Sequence, residues 1–426
     1  DTFIAVIEKH NLEEIENSKF SILDEIKEVE TEEKLSITLS IAISDEGNTN
    51  YEKYESAQDA MKIALGRGGD QAVVRKNGKY SFFGGKTLEL EKRTKVKARV
   101  VSHALEEIIL NAENVMVMGH LNADIDSLGS SLGIYRFAKD LGKEAFIVNN
   151  TNSLAIENFV KSLKEHEEYK NIILDKAEAL AKINENTLLV IVDTHKRGYV
   201  EVPELVDKTD KKVIIDHHRR GEDFIDNALL TFHEVYASSA AELVTEIIEY
   251  SDKNITLTQI EAESLYAGIM MDTKNFTFKT GVRTFEAAAY LRKYGIDIIR
   301  VKKWFQSDLD SYTVIADIVK NAEVVNDSIG ISVYEEKDKN ANLICAKAAD
   351  ELLTISNITA SFVIGDMGDK ICISGRSIGD INVQVILEKL GGGGHITLAG
   401  AQLENMTIEE AKTELIIRIN EYFTEV

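Results

Sequence analysis

Leu188-Leu189-Val190-Ile191-Val192-Asp193-Thr194-His195 and Val213-Ile214-Ile215-Asp216-His217-His218 decide the fold. Each is a continuous apolar run that ends on an acid, with no polar residue alternating through it. Runs of that kind are strands of a parallel sheet, buried on both faces beneath crossover helices. Val115-Met116-Val117-Met118 and Ala145-Phe146-Ile147-Val148 extend the series. A helical pattern from Ser127 to Leu141 separates them, and further helices are expected at about 238–250 and 258–271. This part of the chain is therefore expected to be a doubly wound, parallel-sheet α/β domain. Ligands bind such sheets at the carboxyl ends of the strands, where these acids sit.

Gly119-His120-Leu121-Asn122-Ala123-Asp124-Ile125-Asp126 occupies the loop after the strand at 115–118. Its spacing lets one turn aim His120, Asp124 and Asp126 at a single region, and the following helix adds its positive N-terminal dipole. Read alone, Asp126-Ser127 is equally an ordinary helix N-cap pair. Asp193 emerges at a strand end, as a turn former or as a carboxylate that bridges two cations. Asp216-His217-His218 is either a solvated polar turn or a working group. In the second case His217 is a metal ligand, Asp216 orients it, and His218 faces a phosphate. Arg219 and Arg220 add local positive charge. Asp272 closes the helical run Leu265 to Met271, where a carboxylate opposes the helix dipole unless a cation is near. Histidine nitrogens with aspartate oxygens suit a pair of divalent cations, and such a pair implies phosphoester hydrolysis.

Gly391-Gly392-Gly393-Gly394-His395 is expected to be neither strand nor helix interior. Four glycines let backbone N–H groups approach a phosphate or base. Arg376, in Ser374-Gly375-Arg376-Ser377, is either a surface residue or a bidentate phosphate clamp.

The 426 residues are 44% hydrophobic, enough for several cores. Lys+Arg 49 against Asp+Glu 72 gives a net charge of −23, which repels polyanions and makes duplex nucleic acid an unsuitable partner. Cys345 and Cys372 read as buried, reduced thiols. No run of 18 apolar residues is present to span a membrane. The chain starts at Asp1 without a signal peptide and is expected to be a cytoplasmic fragment.

Ahead of the first domain, Phe3–Ile7 is a strand candidate, 12–29 has helical spacing, and 35–43 alternates as a strand. Tyr54 to Leu65 is expected to be helical, and 72–74 with 80–83 to form a hairpin. Residues 86–114 read as a long helix linking two domains. Strands of a second α/β unit are expected at Val324, 329–333, 343–346, 361–364 and 370–374.

The combination of His120, Asp124, Asp126, Asp193, Asp216-His217-His218 and Asp272 resembles the DHH phosphoesterases. The Gly391 to Gly400 run, with Ser374-Gly375-Arg376-Ser377 and Ile381-Asn382-Val383, is similar to the DHH-associated C-terminal domain. Leu39-Ser40-Ile41-Ala42-Ile43 and Ala64-Leu65-Gly66-Arg67-Gly68-Gly69-Asp70-Gln71 are similar to the second half of a degenerate GGDEF domain. Thr2 stands where that domain's signature has Glu, so cyclase activity is not expected. This order of domains resembles the GdpP-type cyclic-di-AMP phosphodiesterases.

The resemblance implies five segments: a partial GGDEF-like α/β unit (1–85), a linker helix (86–113), a DHH domain (114–305), a connector (306–321) and a smaller α/β DHH-associated, substrate-binding domain (322–426). It implies two manganese ions. One is held by His120, Asp124 and Asp193, the other by Asp126, Asp193, His217 and Asp272. Asp193, Asp216 and His218 are then the catalytic groups. Arg376, Ser377, Gly392, Gly393, Gly394 and His395 are the substrate contacts. The expected reaction is attack of hydroxide on cyclic-di-AMP, giving 5′-pApA. A homodimer is implied, as is a longer parent anchored in the membrane by helices that precede this segment. Two alternatives stand beside it: an oligoribonuclease or pAp phosphatase with the same metal site, and a nucleotide-sensing regulatory protein.

Overall fold

The computed structural model describes residues 3–26, 38–66, 69–84, 95–150, 156–220, 223–306 and 308–425. The chain divides into two compact units, Asp1–Phe305 and Gln306–Val426.

The first unit opens with α1 (Lys9–Asn17), α2 (Ile22–Glu25), β1 (Ile41–Ser44), α3 (Asn50–Gly66), β2 (Gln71–Lys76) and β3 (Lys79–Gly84). β1 runs parallel to β2, and β2 and β3 form the expected hairpin. The strand expected at Phe3–Ile7 is not formed: among the described residues no strand pairs with it, and Phe3 and Val6 are 89% and 87% exposed. An apolar run becomes a strand only when a neighbour takes its backbone hydrogen bonds. The helix expected over 12–29 ends at Asn17, because Lys19 and Phe20 turn into the left-handed region. Its last part, 27–29, lies outside the described residues, as do 35–37 of the alternating stretch and Arg67-Gly68.

α4 (Lys95–Leu110) follows. Residues 86–94 of the expected linker helix lie outside the described residues. What is described is no free linker. Ala98, Val101, Leu105 and Ile109, one stripe of the helix, are buried in the core of the next domain.

That domain comprises β4 (Asn114–Met118), α5 (Ile125–Asp140), β5 (Glu144–Val148), α6 (Glu157–Lys164), β6 (Ile173–Leu174), α7 (Lys176–Lys182), β7 (Leu188–Val192), β8 (Lys212–Asp216), β9 (Leu230–His233), α8 (Ala240–Glu249), α9 (Gln259–Asp272), α10 (Val282–Arg292) and α11 (Ile298–Trp304). Its sheet is all parallel in the order β6-β5-β4-β7-β8-β9. Successive residues of the apolar runs face opposite cores. Val115, Val117, Val190 and Ile215 enter one, and Met116, Met118, Leu189 and Ile214 the other. The strand order reverses between β4 and β7, so the carboxyl ends of these neighbours open onto a topological switch point.

The second unit contains α12 (Leu309–Lys320), β10 (Glu323–Val325), β11 (Ile329–Lys337), α13 (Ala341–Leu352), β12 (Ala360–Asp366), β13 (Lys370–Ser377), α14 (Val383–Glu388), β14 (Gly393–His395), β15 (Leu398–Glu404) and α15 (Ile408–Glu425). Its sheet runs β10-β11-β12-β13-β15-β14. Two expectations fail here. Leu343–Ala346, expected as a strand, lies in α13, whose buried Ala341, Cys345, Ala348, Ala349 and Leu352 fall on one helical face. The glycine run, expected to be outside regular structure, supplies the edge strand β14, paired antiparallel to β15. A Cβ on Gly392 or Gly394 would lie 2.3 Å from a carbonyl oxygen of β15. Glycine is thus required for one backbone to lie against another.

Among the described residues, no helix is long and apolar enough to cross a membrane.

Candidate metal centre

The loops after β4, β7 and β8 and the end of α9 bring the expected acids and histidines to one place. Asp124, at the start of α5, is its N-cap and accepts from Ser127 N–H at 3.0 Å. Asp126 is therefore not the cap. It lies in the first turn, fully buried, and accepts from the N–H groups of Ala240 and Ala241 at 2.8 Å each. Those N–H groups open α8, whose positive end thus faces this carboxylate. α9 passes close by, because Gly268 has no side chain: a Cβ there would sit 2.7 Å from Asp126 Oδ1.

Asp193 leaves β7 in the left-handed region, at φ 59°. Aspartate tolerates that conformation better than most residues, and such strain collects at functional sites. Its Oδ2 lies 3.4 Å from His120 Nε2 and its Oδ1 3.4 Å from His217 Nε2. One carboxylate thus spans two histidines. His120 Nδ1 lies 2.8 Å from the Leu121 carbonyl oxygen. A carbonyl only accepts, so Nδ1 carries a proton and Nε2 is the nitrogen that faces Asp193 and Asp124. Asp272, the last residue of α9, places Oδ2 3.0 Å from His217 Nε2.

Among the described residues four groups of three donors have their atoms within 4.8 Å of one another; two of them are His120, Asp124, Asp193 and Asp126, His217, Asp272, and the others are Asp193, His217, His218 and His195, Asp216, His233. The first two groups fit a pair of divalent cations. His217 Nδ1 is buried without a hydrogen-bond partner, which a native interior rarely tolerates, while His217 Nε2 and Asp193 Oδ1 meet their charged neighbours at ion-pair distance without hydrogen-bond geometry. Donors around an octahedral ion at about 2.1 Å stand about 3 Å apart, close to the spacings found here.

The protonation balance agrees. Burial alone would depress the histidine pKa values, yet the acids raise them well above 6.5: Asp124 and Asp193 act on His120, Asp193 and Asp272 on His217. Burial, and then neighbouring carboxylates, raises Asp126 well above the usual range. Asp272 is raised chiefly by burial. Asp193 is lowered, because His120 and His217 outweigh its burial. The surroundings thus favour the charged form of the two histidines and the neutral form of Asp126, and a bound cation would act in the opposite sense on each.

Asp216 differs from the expected arrangement. Rather than orienting His217, its Oδ1 accepts from His218 Nδ1 at 2.8 Å and from His218 N–H at 3.2 Å. Its Oδ2 accepts from His195 Nδ1. His218 itself is 43% exposed. Sequence reasoning missed the support around these groups. His233 at the end of β9 is in register with Asp216 and donates from Nε2 to the His218 carbonyl oxygen. Tyr199 stacks on His120, centroids 5.4 Å apart and planes 6° from parallel. Neither has a signal in sequence, since both contacts depend on register and on a turn.

In the second unit, Arg376 donates to Asp350 Oδ1 at 3.1 Å and to the Gly375 carbonyl at 3.0 Å. Ser377, next to it on β13, is fully buried. Gly392 precedes β14, and Gly393 and Gly394 lie in it. The side chain of His395 lies outside what is described.

Residues 114–269 match the DHH family, N-terminal domain, and residues 326–425 the DHHA1 domain. Residues 1–82 match the cyclic-di-AMP phosphodiesterase GdpP-like GGDEF domain. The chain is 44% identical over 99% of its length to the cyclic-di-AMP phosphodiesterase GdpP of Bacillus subtilis, and spans 65% of that protein. It is 43% identical over 99% of its length to the cyclic-di-AMP phosphodiesterase PdeA of Listeria monocytogenes, again spanning 65%. The fold is that of an exopolyphosphatase-related protein of Bacteroides fragilis, with a TM-score of 0.67 at 21% identity, covering 76% of this chain and 96% of that one.

Proposed function

We propose, from the matches of its three segments to the GdpP-like GGDEF domain, the DHH family N-terminal domain and the DHHA1 domain, that the chain is a DHH-family phosphodiesterase that hydrolyses cyclic-di-AMP to 5′-pApA using two manganese ions. The observation that carries this reading is the convergence of His120, Asp124, Asp126, His217 and Asp272 on the two sides of Asp193. Mixed nitrogen and carboxylate donors suit manganese. Bound there, the ions would activate water and neutralise charge on the attacking and leaving oxygens.

The chain's own groups do the rest. Asp193 offers one oxygen to each side. Leu121 fixes the His120 tautomer, and the opening turn of α8 holds Asp126 in place. His218 donates from Nδ1 to Asp216, and we infer that in its doubly protonated form it directs Nε2–H to the phosphate and passes that proton to the departing 3′-oxygen. Arg376, Ser377, Gly392, Gly393, Gly394 and His395 are proposed to contact the nucleotide, and the working protein to be a homodimer.

Chromatography of cyclic-di-AMP incubated with the protein, with and without manganese, tests the function. Manganese-dependent 5′-pApA that outlasts its further breakdown is expected. Intact cyclic substrate together with rapid loss of added pApA would move the chain to the oligonucleotide-degrading members of the family.

A further inference from the structure

Two histidines behind His218, His195 buried and His233 partly buried, have no part in the scheme above. His195, two residues beyond Asp193, donates from Nδ1 to Asp216 Oδ2. His233 donates from Nε2 to the His218 carbonyl oxygen. Both directions are fixed by chemistry, since a carboxylate and a carbonyl only accept. The two rings pack edge to face, with centroids 5.3 Å apart. Asp216 therefore has both oxygens engaged, one by His195 and the other by the ring and backbone of His218. His218 is held at two points: its ring through Asp216, and its main chain through His233.

A half-exposed side chain without such support populates several rotamers and both tautomers. We propose that His195 and His233 are positioning residues that hold Asp216 and the His218 backbone so that His218 keeps its proton on Nδ1 and presents Nε2 to the substrate. The proposal rests on the reading of His218 as a phosphate-facing group. It assigns no contact with substrate to either positioning histidine. His195 sits beneath the site because it follows Asp193, and His233 because parallel pairing sets β9 against β8 at Asp216.

The test compares His195→Phe, which keeps a ring but loses the donor, with His195→Asn, which returns an N–H near the Nδ1 position. On cyclic-di-AMP with manganese, His195→Phe is expected to lower kcat about 10- to 100-fold with KM within about twofold. His195→Asn is expected to recover most of that loss. A second readout needs neither metal nor substrate: side-chain ¹⁵N–¹H spectra of the whole chain. They should show His218 protonated at Nδ1 in the wild type and in His195→Asn, and exchanging between tautomers in His195→Phe. His233→Phe, read in the same spectra, carries the test if the His195 variants fail to fold.

Wild-type kcat and an unchanged His218 signal in His195→Phe would overturn the proposal. So would equal losses in the Phe and Asn variants accompanied by lost manganese binding, which marks a purely structural role. A wild-type protein that leaves cyclic-di-AMP intact would sink the proposed function alone, because the spectra still decide how His218 is held.

Discussion

Asp193 is the residue on which the centre turns: buried, left-handed, and shared between two histidines. Asp193→Asn keeps the volume and removes the charge. It is expected to cut turnover by about 10³-fold or more, equivalent to about 4 kcal/mol, with an unchanged circular dichroism spectrum; substantial retained activity would refute the bridging role proposed for it. The centre's titration also has a definite sign. His120 and His217 are raised above their ordinary 6.5. The stability they contribute is full below pH 6.5 and is lost as pH rises through their higher folded values. The raised Asp126 and Asp272 act in the same direction, since ionising them in the fold is unfavourable. The melting temperature of the metal-free protein should therefore fall as pH rises above about 6.5. The increase on adding manganese should grow over that interval, and titration calorimetry in two buffers should detect proton release. A flat profile with no protons released would contradict these assignments. The residues proposed as ligands stand out in sequence because they follow an apolar run, open the helix after it, or close a helix. The partners of Asp216 were not, because hydrogen-bond geometry around two adjacent histidines is decided by a turn.

The elements place those residues through close approaches. α9 lies against Asp126 at Gly268, where a Cβ would also sit 2.9 Å from the Ala241 Cβ. Gly268→Ala is expected to cost about 1–3 kcal/mol of stability and to weaken manganese binding, measured by denaturant unfolding and metal titration. Wild-type values in both would show that the contact is slack. The parallel strands were legible because burial on both faces leaves an unbroken apolar run. The elements misread were those whose patterns lack that signature. Leu343–Ala346 is apolar over a stretch too short to separate strand from helix, and only the longer spacing from Ala341 to Leu352 shows a helical face. Gly393–His395 has no strand-forming side chains and pairs because glycine allows the approach. Phe3–Ile7 has strand composition and no partner strand among the described residues.

At the scale of the molecule, the GGDEF-like part has small cores of its own, built on residues such as Leu12, Phe20, Val74 and Ala60. None of these belongs to the core beneath the metal centre, whereas α4 does. A chain shortened to begin at Lys95 should keep its kcat and KM on cyclic-di-AMP, whereas one shortened to begin at Glu106 loses Ala98, Val101 and Leu105 from that core and should melt lower. Altered kinetics in the first would assign the N-terminal part a regulatory role. The central claim, two cations bridged by Asp193, is tested most directly by anomalous diffraction from manganese-soaked crystals. The account predicts two peaks about 3.5–4 Å apart, one against His120 and Asp124, the other against Asp126, His217 and Asp272, with Asp193 touching both. A single peak, or a pair that Asp193 does not bridge, would contradict it.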